Sequence, residues 1–238
     1  MKKVLFATIA AAVLAGAAFY AFADDDAAYS ANAVGVVKYT IPSNGVLTCV
    51  SLPLDPFGGE DAWYWPDTEL AKGLQGGSIV YFWNNNTLDW EYSTKSARGT
   101  WPAIQTTNLM MVSPGQAFFL RGPSGTKSNV VVSLLGELPV EESMSVGVTG
   151  GNNFDMRAIS MYPIEVVFTN SAFATNLPGG SMVYFWNGAD WVYSTKNVRS
   201  NTWSTVEGKE TLRVGEGVFV KKSGAGMTVT EGRPFDWE

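Results

Sequence analysis

Short runs of alternating apolar and polar residues fill much of the chain, and glycine, proline or asparagine separates one run from the next. Alternation with a period of two is typical of β-strands. The pattern predicts strands at residues 34–41 and 46–52, joined as a hairpin by the turn at Asn44 and Gly45. Further strands are predicted at residues 116–121, 130–135, 216–222 and 227–230.

One series of residues occurs twice along the chain, in the same order and at nearly the same spacing. The matching segments are residues 76–84 and 179–187, residues 89–95 and 190–196, and residues 115–120 and 215–220. Ordered matches of this kind indicate an internal repeat. We therefore predict two diverged copies of one module, at residues 34–139 and 140–238, with the boundary in a stretch that contains a proline and two acids.

Each copy is predicted to contain a core hairpin directly after its Gly-Gly-Ser. In the second copy, Met182, Tyr184 and Trp186 fall on one face of the first strand, and Val183 and Phe185 fall on the other. Both faces are apolar, so this strand is predicted to lie inside a sheet. In the first copy the turn of this hairpin is two residues longer.

A short helix is predicted just before each Gly-Gly-Ser. In the first copy Asp67 is the expected N-cap, with Leu70 and Leu74 on the buried face; in the second, Asn170 or Ser171 is the cap. The elements together favour an all-β, mainly antiparallel fold. We expect two tandem β-sandwich or jelly-roll-like modules, each with one short helix.

The first 23 residues have the features of a Sec-type signal peptide. Lys2 and Lys3 precede an apolar run, and Ala21-Phe22-Ala23 supplies the small-x-small pattern of a cleavage site. The apolar run is shorter than the ~20 residues that a membrane-spanning helix needs. We expect cleavage after Ala23, a flexible leader at residues 24–33, and no stable membrane insertion afterwards. The mature chain is then periplasmic, exposed on the cell surface or extracellular.

The composition argues against several classes of function. The chain has no histidine, 16 basic and 22 acidic residues, and a formal net charge of −6. Removal of the signal peptide with its two lysines changes that charge to −8. Without histidine, neither a Ser-His-Asp triad nor a histidine-containing zinc site can form. An acidic chain without basic runs is not expected to bind nucleic acid.

The single cysteine, Cys49, has no partner for an internal disulfide. Alignment of residues 47–52 with residues 156–161 places Ala158 opposite Cys49. A position that accepts either cysteine or alanine predicts a small, buried packing site rather than a reactive thiol.

The series Tyr81-Phe82-Trp83-Asn84, then Trp101, then residues 114–120 resembles a recurrent module of bacterial exported and surface proteins. The second copy matches more weakly, because Val214 replaces the proline that opens the last segment. The resemblance implies a non-catalytic scaffold or adhesive role and names no specific activity.

Nine tryptophans in an exported β-protein suggest carbohydrate binding, because indole faces stack on sugar rings. Six of them form pairs that occur in both copies. These pairs are Trp83 and Trp186, Trp90 and Trp191, and Trp101 and Trp203. Since the pairs belong to the shared strand pattern, we predict that they pack inside the protein.

The cluster Trp63-Tyr64-Trp65 is the best candidate for a ligand-binding site. The corresponding residues of the second copy, 166–168, contain no indole, and Glu60 and Asp61 precede the cluster in the first copy only. The competing interpretation is a strand with bulkier core residues.

Paired carboxylates suggest a third possibility, glycoside hydrolysis without histidine. Glu60, Asp61, Asp67 and Glu69 are the closest such group, but carboxylates at this spacing are typical of solvated loops and helix caps. The aspartates at residues 24–26 lack the glycine and the closing glutamate of an EF-hand loop. We therefore predict no catalytic residue, no metal site and no cofactor.

The function that these patterns favour is a non-catalytic exported structural, surface or matrix protein. Its expected partners are other envelope or matrix proteins, or polysaccharide. The first alternative is a carbohydrate-binding module that uses Trp63 and Trp65, and the second is a carboxylate hydrolase. The patterns do not indicate an oligomeric state.

Overall fold

The structure, a computed structural model, describes residues 33–58, 62–151 and 153–235. The predicted signal peptide and all of the predicted leader except Ala33 lie outside these ranges, as do Glu60 and Asp61.

Eight strands lie in each half of the described chain. Those of the first half are β1 (Val34–Ile41), β2 (Leu47–Ser51), β3 (Trp63–Tyr64), β4 (Ile79–Asn84), β5 (Asp89–Thr94), β6 (Met111–Val112), β7 (Ala117–Arg121) and β8 (Val130–Glu137). Those of the second half are β9 (Ser143–Val148), β10 (Phe154–Ala158), β11 (Val166–Val167), β12 (Met182–Trp186), β13 (Trp191–Thr195), β14 (Thr211–Leu212), β15 (Gly217–Lys221) and β16 (Met227–Gly232). Helix α1 is Glu69–Gly73, helix α2 is Ala172–Asn176, and 3₁₀ turns occupy Trp65–Asp67, Thr107–Met110 and Phe168–Asn170.

The strands form sheets in the same order in both halves. The first half has a four-stranded sheet, β2-β7-β4-β5, and the pairs β1-β8 and β3-β6. The second half has β10-β15-β12-β13, β9-β16 and β11-β14, and every pairing is antiparallel. The predicted all-β, antiparallel class with one short helix in each half is confirmed. The division into two separate modules stays a prediction, because the two halves pack as one compact unit.

The predicted pairing of the first two strands is wrong. Strands β1 and β2 exist, and Asn44 and Gly45 have the positive φ values of 62° and 73° expected for a tight turn. However, β1 pairs with β8, and β2 pairs with β7. The turn residues correctly indicate that the chain changes direction, but the strand before the turn and the strand after it belong to different sheets.

The core hairpin lies where the sequence predicts it. Strand β12 is an inner strand, with β15 on one side and β13 on the other. Val183 and Phe185 are fully buried in the core of the second half. Tyr184 and Trp186, on the opposite face, pack against a cluster shared by both halves. Both faces of the strand are therefore in use, as their apolar character requires.

Helix α1 begins one residue later than predicted. Thr68, not Asp67, is its N-cap, and the Thr68 hydroxyl accepts a hydrogen bond from the Ala71 amide at 2.9 Å. Ser171 has the same role for helix α2, with a distance of 3.1 Å to the Ala174 amide. Each capping residue is in an extended conformation, with its hydroxyl free to reach the first turn of the helix.

A buried lysine closes the end of each helix. Lys95 Nζ donates to the backbone oxygens of Ala71, Lys72 and Leu74, at 2.7–2.8 Å. Lys196, the repeat counterpart of Lys95, donates to three backbone oxygens of the α2 segment at 2.7–3.2 Å. Burial lowers the pKa of both lysines. The carbonyl oxygens offset this desolvation because they accept hydrogen bonds from the charged ammonium group.

Three clusters of buried apolar residues stabilise the fold. One lies in the first half and includes Trp65, Phe82 and Phe118. A second lies in the second half, around Phe173 and Phe185. The third draws residues from both four-stranded sheets and joins the two halves. Among the described residues, no helix has the length and apolar character needed to cross a membrane.

Candidate functional site

The aromatic cluster selected from the sequence lies mainly in the core. Trp65 is fully buried, and its ring makes edge contacts with Phe82, Trp101 and Phe118 at centroid distances of 5.2–6.5 Å. Trp63 is also buried, and its Nε1 donates to the Leu54 carbonyl at 2.7 Å. Neither indole presents a free face for a sugar ring, so their positions favour packing over ligand stacking.

The other members of that candidate site are dispersed or lie outside the described residues. Tyr64 is exposed on the two-residue strand β3. Glu60 and Asp61 fall within the segment that the structure does not describe. Of the two remaining carboxylates, Asp67 is exposed, and Glu69 lies 4.0 Å from Lys72 in the first turn of helix α1. The described part of the cluster therefore contains no pair of carboxylates facing a shared space.

The paired tryptophans have two structural roles. Trp101 Nε1 donates to the Ala71 carbonyl at 3.2 Å, and Trp203 Nε1 donates to the Ala174 carbonyl at 2.9 Å. Each of these helix carbonyls also accepts a hydrogen bond from the buried lysine of the same half. The other four indoles belong to the cluster between the two halves. They are Trp83, Trp90, Trp186 and Trp191.

The alignment that placed Ala158 opposite Cys49 is wrong by two residues. Cys49 pairs with Phe119, and Met156 makes the equivalent pairing with Phe219. Cys49 therefore corresponds to Met156, and both are buried between the halves. Burial raises the pKa of the Cys49 thiol well above its usual range, and the nearby Glu216 carboxylate adds to this effect. The thiol is consequently a packing group at neutral pH.

The two four-stranded sheets exchange reciprocal hydrogen bonds. Trp83 Nε1 donates to the backbone oxygen of Phe154, the first residue of β10, at 2.8 Å. Trp186 Nε1 donates to the backbone oxygen of Leu47, the first residue of β2, at 2.9 Å. In each half, the equivalent tryptophan thus bonds to the equivalent backbone position of the other half. This reciprocity is the contact pattern of an isologous interface, here within one chain.

The backbones repeat this exchange. The Ser51 amide donates to the Gly215 carbonyl at 2.8 Å, and the Ala158 amide donates to the Gly115 carbonyl at 3.0 Å. Both glycines have positive φ values, of 76° and 85°. A side chain at Gly215 would approach the Tyr39 ring to 2.7 Å, so the close contact between the halves requires glycine there.

Two clefts lie along this interface, at equivalent places in the two halves. The first, here the basic cleft, has a volume of about 500 Å³, and its polar wall includes Lys38, Thr48, Lys209, Arg213 and Glu216 beside Trp186. The second, here the amide cleft, has a volume of about 310 Å³, and its polar wall includes Asn85, Asn86, Asn108, Gln116 and Arg157 beside Trp83. Both volumes fall within or close to the range of small-ligand sites.

The basic cleft carries an excess of positive charge. Lys209 Nζ makes a short ion pair with Glu216 Oε1, while Glu216 Oε2 accepts from the Arg213 backbone amide at 3.3 Å. Lys38 and the Arg213 guanidinium have no carboxylate within ion-pairing distance among the described residues. Thr48, another residue of this cleft, has a buried Oγ1 without a hydrogen-bond partner among the described residues.

The amide cleft is neutral in character. Arg157, the one cation among the described residues that line it, is paired with the buried Asp155 carboxylate at 3.2 Å. Asn85 Oδ1 is buried without a hydrogen-bond partner. The longer hairpin turn of the first half supplies Asn85 and Asn86, so this lengthened turn forms part of the cleft wall.

Sequence reasoning did not select the residues of either cleft. Each cleft combines residues of both halves, which lie far apart along the chain: residues 38–50 with residues 186–216 in the basic cleft, and residues 82–118 with residues 156 and 157 in the amide cleft. One signal was present: the segment 209–216 carries Lys209, Arg213 and Glu216, whereas residues 109, 113 and 116 of the first half are Leu, Ser and Gln. Where one copy of the repeat has a charged residue and the other has a neutral one, packing does not require the charge at that position. Across the described residues, no group of three or more metal-ligating side chains comes together.

Comparisons of the chain with protein-family models, with curated proteins and with solved structures find no match.

Proposed function

We propose that the protein is a non-catalytic exported protein that acts as a structural or surface component. The observation that supports this proposal is that residues present in both copies of the repeat make contacts within the chain. Trp83 and Trp186 join the halves, and Lys95 and Lys196 close the helices. Residues present in both copies are thus committed to packing and hydrogen bonding within the chain, as expected for a rigid scaffold.

The buried carboxylates also have structural partners. Asp155 accepts from the Thr149 amide and hydroxyl and from Arg157. Glu231 accepts from the Ser160 hydroxyl and the Met161 amide. All of these donors belong to the chain itself, so both carboxylates are committed to internal hydrogen bonds and are not directed at a substrate. This arrangement supports a scaffold better than a hydrolase.

Fractionation of the native organism tests the proposal. An antibody against residues 34–235 should detect the protein in the periplasm, on the cell surface or in the medium, at a mass that lacks the first 23 residues. Chemical cross-linking in intact cells should connect it to envelope or matrix components. Recovery of the full-length chain from the cytosol, or turnover in a panel of glycan and peptide substrates, would contradict the proposal.

A carbohydrate-binding role is the second candidate, and the amide cleft supports it better than Trp63 and Trp65 do. The side chains of Asn85, Asn86 and Asn108 have no hydrogen-bond partner among the described residues. Primary amides both donate and accept, which suits sugar hydroxyls, and Met111 and Trp83 supply apolar surface beside them.

The double variant Asn85→Ala/Asn108→Ala tests this second candidate on a glycan array and by calorimetry with any neutral glycan retained. We expect the affinity to fall about thirtyfold, since each of the two lost hydrogen bonds weakens binding by roughly 1 kcal/mol. The melting temperature should stay close to that of the wild type. Gln75→Ala, which removes an exposed amide outside both clefts, is the matched control. Equal binding by all three proteins would place the glycan elsewhere.

A further inference from the structure

The basic cleft stands out against the charge of the whole chain. The protein has 22 acidic and 16 basic residues, yet the described residues that line the cleft include Lys38, Lys209 and Arg213 and a single carboxylate, Glu216. Low-dielectric walls concentrate such a local field, which attracts anions even when the net charge of the protein is negative. The cleft is therefore electrostatically distinct from its surroundings.

The equivalent positions of the first half show that packing does not require these charges. Leu109, Ser113 and Gln116 stand where the second half has Lys209, Arg213 and Glu216. Gln116 Oε1 accepts from the Ser113 amide at 3.1 Å, and Glu216 Oε2 accepts from the Arg213 amide at 3.3 Å. The loop thus has the same internal hydrogen bond with or without the charges.

Two cationic groups in the basic cleft are available to a ligand. The Arg213 side chain is exposed, and neither it nor the Lys38 ammonium group forms an ion pair with a described residue. Thr48 Oγ1 is buried and unpartnered, whereas Asp155, at the corresponding position of β10, is satisfied by Thr149 and Arg157. Two cations without a carboxylate partner in one cleft point to an anionic group as the missing partner.

We propose that the basic cleft binds a ligand through a carboxylate or phosphate group. Arg213 offers planar, paired N–H donors that match either group. Lys209 contributes a second positive charge when the incoming anion competes with Glu216 for its ammonium group. Lys38 adds a third positive charge to the cleft. The proposal is independent of the scaffold role, because it concerns binding by the purified protein and not its location.

Calorimetry on the purified mature chain tests this site with three probes: an oligogalacturonate, inorganic phosphate and a neutral malto-oligosaccharide. We expect binding of one or both anionic probes, weakened by added salt, and none of the neutral probe. Arg213→Ala should lower the affinity about tenfold, the effect of losing one charge-assisted contact. Arg199→Ala, which removes an exposed arginine outside the clefts, should leave it unchanged.

Glu216→Gln supplies the opposite test. Glutamine already occupies the equivalent position 116, so the variant should fold normally and keep the hydrogen bond to the residue 213 amide. Removal of the competing carboxylate should strengthen anion binding several-fold. Binding of only the phosphate or only the carboxylate probe identifies the source of the anion. The proposal is overturned if neither anion binds, if Arg213→Ala and Arg199→Ala behave alike, or if Glu216→Gln weakens binding.

Discussion

Replacement of Lys95 by methionine should lower the free energy of unfolding by about 3 kcal/mol. The side chain is 5% exposed, and its ammonium group donates to three carbonyl oxygens at the end of helix α1. Methionine fills similar space but leaves those oxygens without this donor inside the protein. Thermal unfolding should show a decrease in Tm of roughly 6–12 °C, given the size of the domain.

Lys72→Met is the matched control because Lys72 lies on the same helix with a side chain that is 60% exposed. Its effect should stay within about 0.5 kcal/mol. Lys196→Met should reproduce the loss seen at position 95, since Lys196 makes the same three contacts with the α2 segment. A Lys95→Met protein as stable as the wild type would show that the free-energy cost of desolvating the ammonium group equals the stabilisation from its hydrogen bonds.

Phe219→Ala should be more damaging, with a loss of about 4 kcal/mol. The Phe219 ring contacts four other aromatic rings at centroid distances of 5.0–5.8 Å. These rings are Trp83, Trp90, Phe154 and Trp191. Truncation leaves a cavity between two sheets that cannot easily close, because reciprocal hydrogen bonds hold them at a fixed distance. Denaturant titration followed by tryptophan fluorescence measures the loss directly.

Tyr193→Ala provides the comparison for that experiment. Tyr193 is also an aromatic residue on the four-stranded sheet of the second half, but it is 55% exposed. We expect a change of less than about 1 kcal/mol. Similar effects of the two substitutions would mean that the cluster between the halves contributes little to the stability of the protein.

Local patterns predicted most of the secondary structure. Alternation placed β1, β7, β12 and β15 within a residue or two of their observed bounds, because each strand has one or two faces that must be buried. The N-cap of helix α1 was missed by one residue. Asp67 and Thr68 are both good caps, and only the extended backbone at Thr68 decides between them.

Pairing and burial were harder to predict. The Asn44-Gly45 turn suggested a hairpin, yet its two strands join different sheets. The alignment that paired Cys49 with Ala158 followed residue similarity, whereas the strand register pairs it with Met156. In the same way, the indole of Trp65 was a reasonable ligand contact until three surrounding rings showed it to be a core residue.

The sequence by itself determined that the chain is a β-protein in which one series of residues occurs twice, and that the paired tryptophans belong to its packing. The tertiary structure decided that Trp83 and Trp186 each bind a backbone carbonyl of the other half, and that this contact leaves one basic and one amide-lined cleft. The reason is physical: periodicity records which face of a strand is buried, but a cleft between the two halves exists only once those faces meet.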